Sequence, residues 1–112
     1  MSKTFTLNEA QTLLPVLEAL LKRAQAAGKR AAELGFEMQQ LSQRIFLSGG
    51  MHVNVQQAAR RRAERDKAMK EASDTVAEID EIGVQVKGLE QGLLDFPSLM
   101  DGQTVLLCWK LG

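Results

Sequence analysis

The chain has 112 residues, 45% of them hydrophobic and 25% charged, with 14 basic residues against 14 acidic ones; this is enough for one globular domain over residues 1–112 and too little for a second. Four Phe, one Trp and no Tyr leave Leu, Ala, Val, Ile and Met as the apolar material, which suits helix-on-helix packing better than a β-sandwich. The single cysteine, Cys108, excludes an internal disulfide and a multi-cysteine zinc site, and the N-terminus carries no apolar signal segment. No apolar run approaches the roughly 20 residues of a membrane helix, so a cytoplasmic protein without membrane contact is expected.

Thr6-Leu7-Asn8-Glu9 has the spacing of a capping box, in which Thr caps the N3 amide and Glu reaches back, and predicts a helix over about 7–47. Leu13, Leu17, Leu20, Ala24, Ala27, Ala31, Leu34, Met38, Leu41 and Ile45 follow at alternating steps of four and three, the heptad seam of a long coiled-coil-like helix. Pro15 loses one backbone bond and predicts a late start or a bend. The middle of the seam is small, and Gly28 and Gly35 are expected to let a partner backbone approach closely.

Ser48-Gly49-Gly50 closes this helix, residues 48–53 form a tip that holds His52, and Asn54 caps a second helix over about 54–82. On that helix Ala58, Met69, Ala72, Val76 and Ile79 make an apolar stripe, interrupted near the tip by Arg62 and Arg65. Gly83 ends it. The period then changes from 3.6 to 2 across the base, 83–112: Val84 and Val86 alternate with polar residues, and Val105, Leu107, Trp109 and Leu111 line one face. Pro97 stops a central strand and Asp101-Gly102 marks a turn, which predicts a hairpin of Leu93 to Phe96 with Thr104 to Lys110, and an extra strand at Thr4 to Thr6. The expected fold is mostly α with a small β part: a long antiparallel helical hairpin with a short antiparallel sheet packed at its base. At 1.5 Å per residue the second helix, about 43 Å, is too short to cover the first, about 60 Å. The sheet is left to cover the turns from Leu7 to Leu14.

Thr4-Phe5-Thr6-Leu7-Asn8-Glu9-Ala10, Leu13-Leu14-Pro15, Gly49-Gly50, Gly83-Val84-Gln85-Val86-Lys87, Gly92-Leu93-Leu94-Asp95-Phe96-Pro97, Asp101-Gly102 and Leu107-Cys108-Trp109-Lys110-Leu111-Gly112 together resemble the bacterial family known as domain of unknown function 2203. The resemblance covers nearly the whole chain. Relatives usually continue past the last glycine with an acidic residue, a further strand and a Trp-His pair; this sequence stops at Gly112, without that tail. The resemblance implies the fold and a bacterial origin, and no reaction, cofactor or catalytic residue.

Charge is unevenly placed. Arg60 to Lys70 holds six basic and two acidic residues, net +4, and Glu71 to Asp101 eight acidic and one basic, net −7. On the second helix this opposes the macrodipole. Exposed i,i+4 pairs (Arg60–Glu64, Arg62–Asp66, Asp66–Lys70, Lys67–Glu71, Lys70–Asp74) are one compensation; a partner is the other. An interaction surface is therefore expected at Arg60, Arg61, Arg62, Arg65, Leu34, Met38 and Leu41, serving a non-catalytic scaffold or interaction module. Its partner would be a second copy in a four-helix homodimer, whose basic region faces the acidic region of the first, or another protein. Polyanion binding at the basic tip is a further alternative, but Glu64 and Asp66 within the run and the lack of stacking aromatics argue against nucleic acid. The main alternative to an interaction module places a small-molecule, metal or enzymatic site at an acidic helix–sheet junction of Asp80, Glu81, Glu90, Asp95 and Asp101. Asp95, opposite the apolar side chains in phase, is expected to cap a Pro97-Ser98 turn. His52 has no carboxylate within five residues and reads as a loop residue, and Cys108 reads as a buried structural thiol. No catalytic, cofactor or metal residue is assigned.

Overall fold

In the computed structural model, which describes residues 3–47, 49 and 55–112, the capping box forms as its spacing requires. The Thr6 N–H donates to Glu9 Oε1 and the Glu9 N–H to Thr6 Oγ1, both at 3.1 Å. Helix α1 then runs unbroken from Leu7–Leu47 through Pro15, Gly28 and Gly35. Pro15 is exposed, as is Gln11 four residues before it, so the carbonyl that the proline leaves without a donor faces water. A Cβ at Gly28 would meet only the Leu89 side chain, at 3.8 Å, and one at Gly35 only that of Arg65, at 4.0 Å. The glycines therefore admit side chains within the hairpin, not the closely packed backbone expected of them. All ten seam positions of α1 are buried or half-buried.

Gly49, at φ 74°, follows α1; the expected roles of Ser48, Gly50, His52 and Asn54 lie outside the described residues. Helix α2, Val55–Ile82, runs back along α1; Ala58, Ala72 and Ile79 of the expected stripe face inward and Val76 is half-buried, whereas Met69 does not face inward. Ala58, Arg61, Arg65, Ala68, Ala72, Thr75, Ile79 and Ile82 are its buried and half-buried seam, at alternating steps of three and four. Met69 and Arg62 each stand one residue past a seam position and are exposed. Thr75 enters the seam by donating its hydroxyl to the Glu71 carbonyl at 2.7 Å, which satisfies it where no water reaches. A Schellman motif closes α2: Gly83 N–H donates to Asp80 O at 2.9 Å, Val84 N–H to Ile79 O at 3.4 Å, and the side chains of Ile79 and Val84 are fully buried. Gly83 takes φ 103°, which a side chain would oppose.

Strands β1 (Gln85–Gly88), β2 (Leu93–Met100) and β3 (Gln103–Lys110) form an antiparallel sheet in the order β1-β2-β3. The turn between β2 and β3 has both central residues at positive φ, Asp101 at 51° and Gly102 at 79°, as the twist of a two-residue hairpin demands. Contrary to expectation, β2 continues through Pro97. In an antiparallel strand a residue's N and C=O point to the same side. The Pro97 carbonyl accepts from the Phe5 N–H at 2.7 Å, and β1 has already stopped at the Asp95 pair, so no ladder bond is lost there. Residues Thr4 to Thr6 form no strand; that single bond ties them to the sheet.

The core sits at the base, where Phe5, Ala10, Leu17, Leu21, Ile79, Val84, Leu94 and Phe96 form one buried cluster flanked by Leu13, Leu14, Leu107 and Trp109. Phe5 meets Phe96 edge to face with ring centroids 5.9 Å apart. The sheet and the N-terminal segment thus cover the turns of α1 that α2 does not reach. The remainder of the hairpin projects, giving extents of 67 × 27 × 19 Å and a radius of gyration of 19.5 Å, against about 13 Å for a compact chain of this length.

Candidate functional site

The seam divides the projecting hairpin into two long faces of opposite character. With the seam residues at heptad positions a and d, the g positions of the projecting part are Arg23, Arg30, Glu37 and Arg44 on α1, and Gln57, Glu64, Glu71 and Glu78 on α2. Two pairs of g positions meet across the helices, with Arg23 Nε 3.2 Å from Glu71 Oε1 and Arg30 Nη2 3.4 Å from Glu64 Oε2, and the seam residue Arg61 bonds Glu37 Oε2 through Nη1. Arg60, Lys67 and Asp74 continue this charged face. Of the five i,i+4 pairs expected on α2, Lys70–Asp74, at 3.0 Å, is present among the described ion pairs. The charges are instead joined between the helices, because g positions on two antiparallel neighbours converge while i,i+4 partners stand out in water.

The opposite face is formed by the e and b positions. From Gln25 outward these are Gln25, Gly28, Ala32, Gly35, Gln39, Ser42 and Phe46 on α1, and Val55, Ala59, Arg62, Asp66, Met69, Ser73 and Val76 on α2. Arg62 and Asp66 are the charged members. Two open grooves mark this face. One of about 670 Å³ is lined near the tip by Met38, Leu41, Ile45, Val55, Ala58 and Arg62, with Asp66 at its edge. The other, of about 470 Å³, lies between Gly28 and Ala32 of α1 and the Leu89-Glu90 turn. The Gln25 amide fixes that turn by donating to the Leu89 carbonyl at 2.8 Å. Phe46 (85% exposed), Val55 (72%) and Met69 (54%) stand open on the same face.

The residues of the expected interaction surface therefore separate. Leu34 is buried and Met38 and Leu41 are half-buried in the seam; Arg60 lies on the charged face and Arg62 on the uncharged one. Arg61 is engaged with Glu37. Arg65 lies along the seam against Gly35, with Nη2 3.3 Å from Asp66 Oδ1 and Nε buried without a described partner. The acidic residues are dispersed. Asp80 and Glu81 are exposed in the last turn of α2, and Glu90 is exposed beside Gln25. Asp95 is buried at the centre of β2, paired in register with Gln85 and Cys108. Because the strand does not turn at Pro97, Asp95 caps nothing there. Asp101 stands six residues further along, about 20 Å away at strand rise. Among the described residues no three His, Cys, Asp or Glu side chains are grouped to hold a metal ion. Cys108 is exposed, correcting its expected burial: it shares strand phase with Leu106 and Lys110, opposite to Leu107 and Trp109.

Among the described residues no helix is long and apolar enough to cross a membrane. No curated protein and no solved structure matches the chain. The chain belongs to the family described as "Uncharacterized conserved protein (DUF2203)", which matches residues 3–112.

Proposed function

We propose that this member of the family is a non-catalytic interaction module of the cytoplasm that binds a protein partner through the uncharged face of its helical hairpin. The observation that carries the reading is the contrast between the two faces. On one side the charges are paired across the helices. The other carries Arg62 and Asp66 near the tip and Lys29 and Glu90 at the basal groove, with exposed apolar residues between them, and an exposed apolar strip rimmed by polar groups marks a protein contact. Gly28, Ala32, Gly35, Ser42, Ala59 and Ser73 on that strip keep it low enough for another helix to lie close. Polyanion binding at the tip is weaker, since Arg61 is already paired with Glu37 and Arg65 lies in the seam. A site at the acidic junction is weaker too, because Asp101 lies in the turn after β2, six residues and about 20 Å along from Asp95.

A photo-crosslinking residue placed at Gln39 or Met69 in living cells tests this. Discrete protein adducts are expected there and not from the same residue at Lys67 on the charged face. Equal or absent crosslinking from the two faces would sink the reading.

A further inference from the structure

We infer that the partner is a second copy of this chain, packed antiparallel along the uncharged face as a four-helix assembly; this rests on the reading of that face as a contact surface. Arg62 and Asp66 are the charged residues of its distal half, one turn apart on α2, and both line the groove near the tip. A two-fold axis in the plane of the face, crossing α2 midway between them, sets Arg62 opposite the partner's Asp66 and repeats the pair by symmetry. The same axis crosses α1 within one residue of Gly35, which lies level with Arg65, so the two α1 helices cross beside a position that has no side chain.

The remaining positions match about this axis. Counting outward along α2, Met69 falls on Ala59 of the other copy, and Val55 on Ser73. Along α1, Phe46 falls within one residue of the level of Gln25, at the groove lined by Gln25, Gly28, Lys29, Ala32, Leu89 and Glu90. The large exposed side chains Phe46, Val55 and Met69 each meet small residues or a groove. A two-fold axis along the helices, the parallel alternative, would set α2 on α1 of the other copy and leave Arg62 without an Asp66 opposite it. The strip from Gly28 to Leu47 is about 30 Å long and two helices, about 20 Å, wide. It offers on the order of 600 Å² in projection, more when corrugated, comparable to the roughly 800 Å² per partner of a stable interface.

Sedimentation equilibrium of the full chain from about 1 to 100 μM is the test, in the range where specific dimers persist. A dimer is expected, with Met69→Glu and Arg62→Glu each weakening it about tenfold or more, and Arg62→Glu with Asp66→Arg together restoring it. Met69 and Arg62 are exposed, and circular dichroism that matches the parent keeps loss of folding apart from loss of association. On a Cys108→Ser background, mixed Phe46→Cys and Glu90→Cys proteins should form a disulfide across the antiparallel interface. A disulfide between Phe46→Cys and Val55→Cys chains instead would show a parallel dimer and overturn the arrangement. A monomer throughout, or a dimer indifferent to Met69→Glu, also overturns it. If the monomeric chain still crosslinks in cells to a different protein at Gln39, the contact face stands and the second copy does not; if it crosslinks to nothing, both fall.

Discussion

Thr6 and Glu9 satisfy each other's backbone at the start of α1 while both are exposed, so their effect is local and separable from packing. Thr6→Ala is expected to cost about 1 kcal/mol, readable as a lower midpoint in urea. The Thr6 backbone N–H, then the Thr6 hydroxyl and the nearby Lys3 charge, hold the Glu9 carboxyl below its ordinary pKa. A carboxylate whose folded pKa is depressed contributes above its unfolded value, about 4.3, and the contribution fades as pH falls through the folded value. A pH titration of stability should therefore show a loss in acid that shrinks in Glu9→Gln; an unchanged acid limb would contradict it. Gly83, at the same end of the hairpin, acts by conformation. At φ 103°, with Lys3 Cβ 3.2 Å from where a side chain would begin, Gly83→Ala should cost about 1–3 kcal/mol, seen as a lower melting temperature.

At the scale of the element, α1 carries one seam in two environments. Leu17 is fully buried in the basal cluster, whereas Leu41 is half-buried between two helices alone. Leu17→Ala is expected to cost about 2–5 kcal/mol, and Leu41→Ala distinctly less under dilute conditions, because the site near the tip opens to water and leaves no closed cavity. Equal losses in denaturant unfolding would refute this. The seam of α1 was legible because every step lands on an apolar residue. That of α2 was legible in part: Ala58, Ala72 and Ile79 lie inside as expected and Val76 is half-buried, but Arg61, Ala68 and Thr75 carry little hydrophobic contrast, so Met69 was drawn inward in place of Ala68. Only contact with α1 fixes the phase of α2. Pro97 was misleading for a related reason, since whether a proline costs a ladder bond depends on where the neighbouring strand stops, here at the Asp95 pair. The candidate face was hidden for the same cause: Ala59, Arg62, Asp66 and Met69 are one surface only once the α2 phase is known.

For the whole molecule, the consequence of a 67 Å length with the buried cluster at one end is a gradient of stability. Amides of Leu17 to Ala24 and of Leu94 to Phe96 lie in or beside the basal cluster and should exchange with solvent only by global unfolding. Those of Met38 to Leu47 and Val55 to Ala63 belong to a pair of helices with half-buried seam residues and should open locally. Association along the uncharged face covers that distal pair and leaves the sheet at the far ends. Hydrogen exchange measured across the dimer's dissociation range should therefore slow with protein concentration in the distal segments, by the mass-action stabilisation of the bound form. Basal amides should respond less, and Met69→Glu should abolish the distal dependence while leaving the basal rates in the dilute chain unchanged. Uniform slowing from base to tip would mean that association acts through the fold as a whole. Slowing confined to the sheet would place the contact on β3, whose Leu106 is the exposed apolar residue of the sheet's outer edge.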